Sequence, residues 1–247
     1  MVRLITALIA AIVFGASILH SQQAPTTIEF EFRVFGVGND SFEGLHYFDG
    51  DTHRELKFHK SSRSIDTYAY KGVLNFGLFI KNPSYVPTDP NSEPYTRIAQ
   101  AKIPTNIKES LVIIQAHPTN NLADQANRKF ELYFINDADS HFTRNSILIV
   151  NATGRDLIGR VGTTDSAFPR GIASPISYPD KQKSKTTRLA FALETEQGPR
   201  LVMSYDIQLS NNRRTVLVLL PPRDPKSTRI SMRKLSQSIH EEEETSQ

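Results

Sequence analysis

The densest polar cluster in the sequence is His46-Tyr-Phe-Asp49-Gly-Asp51-Thr-His53, followed shortly by His59 and Asp66. Imidazole and carboxylate are the donors that zinc and similar divalent ions take. A hairpin would bring His46 and His53 opposite one another, so His46, Asp49, Asp51 and His53 are the metal candidates. The spacing matches no ligand motif such as HExxH, and Asp-Gly between two strand-like runs is first a hairpin turn. The turn accounts for the whole cluster, so no metal and no cofactor is expected.

Other reactive constellations are equally incomplete. Asn136-Asp137-Ala138-Asp139-Ser140-His141 offers oxygen ligands for calcium. Counted from Asp137, however, the glycine and the acid that an EF-hand requires at its sixth and twelfth places are Phe142 and Leu148. Asx-turn chemistry explains the run instead. The sequence holds no G-x-S-x-G elbow and no phosphate-binding loop. His117, ahead of Pro118 at the end of the run LVIIQA, would sit at a sheet end near Asp124, which is a common place for a solvated loop histidine. A glycan hydrolase would need two of Asp49, Asp51, Asp66, Asp137 and Asp139 to converge, and spacing alone does not bring any pair together.

A second kind of chemistry is anion or polysaccharide binding. Arg54, Lys57, Lys60 and Arg63 fall close together with Phe58 and Tyr68 nearby, although Glu55 and Asp66 interleave and such charges commonly form a solvated strand face. Lys181, Lys183, Lys185 and Arg188 carry the same ambiguity. The formal charge of +3 does not extend this to nucleic acid. With Arg3 and the balanced charges after Leu220 set aside, 23 basic residues face 21 acidic ones, too small an excess to track a phosphate backbone.

Arg3 precedes the apolar run Leu4 to Leu19, and polar residues follow it. This is the pattern of a secretory signal peptide, expected over residues 1–21, and it leaves no transmembrane span in the mature form. Export without a single cysteine favours a bacterial periplasm or cell exterior, and it requires a fold held by packing and hydrogen bonds alone. Asn39-Asp-Ser and Asn151-Ala-Thr fit the glycosylation sequon, a pattern that often arises by chance.

The elements that must position these residues are strands. Ile28, Phe30, Phe32 and Val34 alternate with Glu29, Glu31 and Arg33, the period of a half-buried strand. Further strand-like runs are 68–70, 73–80, 111–116, 130–135, 147–151, 189–193, 201–209 and 215–220, with Leu201, Met203, Tyr205, Ile207 and Leu209 expected inward. Gly, Asn, Asp and Pro punctuate them, as in an antiparallel sandwich or barrel. Asn121 to Lys129 is the one helical candidate. The four prolines between Asn82 and Pro94 make that stretch a surface loop. No internal repeat stands out. The body, 22–221, reads as one large or two tandem immunoglobulin-like β-sandwiches with a possible division near 163–187. The polar tail 222–247 is expected to be disordered at least from 236, with one further edge strand conceivable around Ile230, Met232 and Leu235.

FEFRVF, RSIDTYAYKG (63–72), LVIIQA, SILIVNATGRDLIGRVG (146–162) and RRTVLVLLPP (213–222) stand in an order that resembles a group of exported bacterial proteins of unknown function from planctomycete and verrucomicrobial lineages. The resemblance covers most of the mature chain. It implies export and a β-sandwich fold and supplies no catalytic residue. The combined expectation is an exported, non-catalytic binding protein whose partner is an envelope protein or glycan. An exported hydrolase and an adhesive protein using an edge strand are the alternatives.

Overall fold

The computed structural model describes residues 27–38, 41–117, 130–178, 186–224 and 226–239. In chain order the strands are β1 (Thr27–Val37), β2 (His46–Phe48), β3 (His53–Glu55), β4 (Tyr68–Val73), β5 (Asn75–Lys81), β6 (Tyr95–Lys102), β7 (Glu109–Ala116), β8 (Phe130–Asn136) and β9 (Ser146–Asn151). They continue as β10 (Leu157–Val161), β11 (Thr164–Phe168), β12 (Gly171–Ile172), β13 (Ile176–Ser177), β14 (Thr186–Leu193), β15 (Arg200–Gln208), β16 (Arg213–Leu220) and β17 (Ser231–Ser238). The fold is all-β, and no helix among the described residues is long and apolar enough to cross a membrane.

The strands form four open sheets, ordered β4-β1-β7-β8, β3-β2-β5-β6, β12-β9-β16-β17 (with β13 beside β12 on β9) and β11-β10-β14-β15. The first two use only strands from β1 to β8 and the last two only strands from β9 onward. Both halves repeat one topology. An opening strand pairs parallel with a late one, β1 with β7 and β9 with β16, and a hairpin follows the opening strand into the other sheet. No repeat is visible in the residues because the two halves share burial pattern rather than side chains. The expectation of purely antiparallel sheets is corrected by these two parallel pairs.

Three apolar clusters show how the sheets stack. Phe30, Phe32, Val112 and Ile114 meet Tyr47, Phe76 and Leu78, joining the first half's two sheets. Ile147, Ile149, Leu217 and Leu219 meet Leu189 and Phe191 in the second half. Between them, Phe35, Val37, Leu111 and Ile113 meet Leu148, Val150, Val216 and Val218, so the sheets that hold β1 and β9 pack against each other. These two are inner sheets, covered on both faces, with the β2 and β10 sheets outside them. Parallel pairing belongs in such a layer, where strands read as continuous apolar runs rather than as alternation. That is why LVIIQA, ILIV and TVLVLL are uninterrupted, whereas β5 and β14 in the outer sheets alternate.

The stack corrects several further expectations. β10 pairs with β14 across residues 163–187, so the chain does not divide there; the sheets change hands between β8 and β9. The tail is ordered through Ser238, because Ser231–Ser238 pairs with all of β16, Leu235 enters the cluster between the inner sheets, and the Thr215 and Ser236 hydroxyls bond at 3.1 Å. Leu201 and Tyr205 are not inward: they are 61% and 57% exposed, and Val202 is buried instead. A bulge opposite Phe191/Ala192 leaves Val202 as the extra residue and reverses the phase of the strand. Tyr205 pairs with buried Leu189 but lies on the free side of an edge strand, above a groove lined by Met203, Ile230 and Met232. Asn151 of the second sequon is buried, with its amide given to the carbonyls of Arg155 and Phe168. The 82–94 stretch holds only turns, as its prolines dictate. The leader, the helical candidate 121–129, Asn39, Pro118, Asp124, the lysines at 181–185 and residues 240–247 lie outside the described residues.

Ile113 has no exposed surface and belongs to the cluster between the inner sheets. Ile113→Ala is expected to cost about 2–5 kcal/mol. Urea denaturation should show both halves losing stability together, in one transition followed by circular dichroism and by the summed tyrosine fluorescence; two separated transitions would show that the layer does not couple them.

Candidate functional site

The β2–β3 hairpin carries the metal candidates and spends them on structure. Asp49 Oδ1 accepts the amides of Asp51 at 2.9 Å and Thr52 at 2.8 Å, and Oδ2 pairs with Arg54. Gly50 has φ +112 and passes so close to the Lys71 carbonyl that no side chain fits there. His46 Nδ1 hydrogen-bonds to the carbonyl of Gly44 at 2.9 Å. The His53 ring stacks on Tyr95 at 4.0 Å and meets the edge of Phe79 at 4.6 Å, and its Nε2 has no hydrogen-bond partner among the described residues. Asp51 is exposed on the turn. Among the described residues no group of three or more histidines and acids is placed to hold a metal ion.

Burial, and then neighbouring His46, push the His53 imidazole below its ordinary 6.5. Burial alone would raise Asp49, but the Thr52 and Asp51 amides and Arg54 outweigh it and hold the carboxyl below its ordinary 3.8. With a depressed folded-state pKa, the unfolded chain takes the proton first. Each contribution is therefore complete above the ordinary value and is lost as the pH falls beneath it. Acid thus weakens this hairpin in two steps, below 6.5 for His53 and below 3.8 for Asp49. His53→Phe keeps the stack and abolishes the upper step, as urea midpoints measured against pH should show. A wild-type midpoint unchanged as the pH falls below 6.5 would refute the assignment.

The remaining acids separate onto different turns. Asp66 pairs with exposed Lys57 at 3.7 Å. Asp137 and Asp139 follow β8 and serve Arg214 of β16, whose side chain is only 5% exposed. Arg214 donates to the carbonyls of Asp137 at 2.8 Å and Phe142 at 3.2 Å and to Gln237 Oε1 at 3.0 Å. Its Nη2 lies 3.1 Å from Asp137 Oδ1, near enough to pair but off the line of a hydrogen bond. Arg63 donates to Asp137 Oδ2 at 2.7 Å. Burial raises the Asp137 carboxyl, and Arg214 and Arg63 pull it back in part. This triad fastens the turn that joins the halves, and removing Asp137 takes the shared carboxylate from both arginines, leaving Arg214 only the exposed Asp139 among the described residues. Asp137→Ala is expected to cost about 3–5 kcal/mol, and Asp139→Ala, at an exposed carboxylate, under about 1 kcal/mol. Equal losses in urea denaturation would overturn the distinction. His117 sits 3.3 Å from Glu131 at the sheet end.

A concave site that combines aromatic rings with charges of both signs lies at the end of the layer between the two inner sheets. A pocket of about 530 Å³ is lined by Gly36 and Gly38 of the first half, Phe42, Glu43, the segment Glu55 to Lys60, and Arg233 of β17. The 56–60 segment is held by the Leu56 amide on the Leu45 carbonyl at 2.8 Å and the Lys57 amide on the Tyr68 hydroxyl at 2.8 Å. The Phe42 ring lies over the backbone of Gly36, where a Cβ would strike it at 2.9 Å, and it packs on Phe58 with ring centres 4.9 Å apart. Arg233 pairs in register with Val218, which faces the first inner sheet, so its side chain projects across the seam. A smaller cavity of about 130 Å³, lined by Gln115 and Pro221-Pro222, shares Gly38 and Arg233 with it.

Three cations therefore face two carboxylates around an aromatic floor. Lys57 is engaged by Asp66, while Lys60 and Arg233 form no ion pair among the described residues. Sequence reasoning found Lys57, Phe58 and Lys60 through their clustering. It missed Phe42 and Arg233: Gly36-Val-Gly38 at the end of a strand signals a close approach, but nothing local marks Arg233, about 175 positions away. No protein-family model matches the chain, and no curated protein matches it.

Proposed function

We propose that this is an exported, non-catalytic binding protein of the cell envelope, periplasmic or extracellular, whose ligand seats in the pocket at the seam of the two halves. The observation that carries the reading is the pocket itself. It has the volume of a small-ligand site, about 300–1,000 Å³, an aromatic floor, and two cations, Lys60 and Arg233, that form no ion pair among the described residues. The leader pattern, the cysteine-free composition and the resemblance to exported bacterial proteins support the location. The immunoglobulin-like assignment belongs to the same proposal. Short strands in two face-packed sheets per half support it, and the parallel pairs β1–β7 and β9–β16 are departures to be accommodated.

A second reading, a hydrolase, has one observation in its favour: Glu43 and Glu55 line the same pocket. The acids named from sequence do not join them, since Asp49 and Asp137 are engaged elsewhere.

The test is retention of the purified exported protein on immobilised envelope glycans, against an unrelated exported β protein. Wild type should be retained intact with no glycan fragments released. Phe42→Ala with Phe58→Ala should weaken retention about ten-fold or more, equivalent to about 1.4 kcal/mol. Undiminished retention of the variant would exclude this pocket. Fragment release that is lost in Glu43→Gln or Glu55→Gln would favour the hydrolase.

A further inference from the structure

We infer that the ligand of the seam pocket is an acidic oligosaccharide, a sugar chain bearing carboxylate groups; the inference rests on the binding reading above and specifies its chemistry. Two kinds of surface meet in this pocket, and few ligand classes satisfy both. The Phe42–Phe58 pair presents apolar ring surface, fixed by the close fit of Phe42 on Gly36, which suits the C–H face of a pyranose. Around it stand both donors and acceptors. Glu43 and Glu55 can accept from hydroxyl groups, which a purely anionic ligand such as phosphate would not supply.

The charge requirement comes from the far wall. Arg233 and Lys60 have no acidic partner among the described residues, although carboxylates are available nearby. An exposed guanidinium lining the same pocket as two half-buried rings is suited to bidentate pairing with a carboxylate. Arg233 belongs to the second half and the ring pair to the first, so one sugar chain would contact both halves at once. Neutral glycans would leave Arg233 unmatched, and acidic peptides would make little use of the ring floor.

Isothermal titration of the exported protein with a short oligogalacturonate, its fully methyl-esterified form and a polyglutamate peptide separates these classes. The acidic sugar should bind, the ester about ten-fold more weakly or worse, and polyglutamate not measurably. Arg233→Gln, at an exposed position, should weaken the acidic sugar about ten-fold and leave the residual binding of the ester unchanged. Phe42→Ala should weaken both sugars, with thermal unfolding confirming that each variant remains folded. Equal affinity for acid and ester, or an unaffected Arg233→Gln, overturns the acidic class while leaving glycan binding intact. Polyglutamate binding that is sensitive to Arg233→Gln overturns the carbohydrate assignment. Retention on envelope glycans lost in Phe42→Ala, without binding of either sugar, overturns this ligand class and leaves the pocket's binding role standing.

Discussion

The rest of the structure depends on the apolar layer between the two inner sheets. Where the inner sheets are covered on both faces, their strands must be apolar at every position; β1 reaches that zone only beyond Arg33, its first half carrying Glu29, Glu31 and Arg33. β7, β9 and β16 meet that demand almost without interruption. In a chain without cysteine, no covalent bond shares this task. Each fully buried aliphatic side chain contributes about 1.5–3 kcal/mol, and because adjacent layers use alternate residues of the same strands, the layers cannot lose packing independently.

The polar groups at this layer are the ones that its margins can satisfy. Gln115, almost wholly buried, donates from Nε2 to the Ala152 carbonyl at 3.1 Å and so links one inner sheet to the chain leaving the other. Arg214 does the same at the opposite margin, binding carbonyls of the connecting turn while Phe142 packs beneath its guanidinium at 5.3 Å. Both contacts bridge the halves. They are directional where the apolar contacts are not, and they fix how the halves meet.

The candidate site follows from the same geometry. Two open sheets stacked face to face end in rims, and the rim beside Gly36 and Gly38 is where the strands lack side-chain bulk. Phe42 lies in that space, Leu56 to Lys60 form its outer wall, and Arg233 reaches across from β17. The polar hairpin His46 to His53 lies on the outer sheet, with its histidines against Tyr95 and its aspartate closing a turn. Polar density in the sequence thus marked a structural hairpin, while the pocket drew half of its residues from places with no local signal.

Sequence alone determined the all-β class, the positions of most long strands, the prolines' loop and the turn at Asp49-Gly50. These depend on near neighbours, through a period of two, the fixed φ of proline and the tolerance of Asx and Gly for turns. It also contained the inner layer, written as uninterrupted apolar runs, although a run does not name the sheet that will cover it. Tertiary structure decided the parallel pairs, the boundary between β8 and β9, the ordering of Ser236 to Ser238 and the phase of β15 beyond its bulge. It also decided that Phe42 and Arg233 line one pocket. Each of these is set by a partner far along the chain: β17, polar and sparse in apolar residues, is a strand because β16 offers it a complete ladder and a place for Leu235.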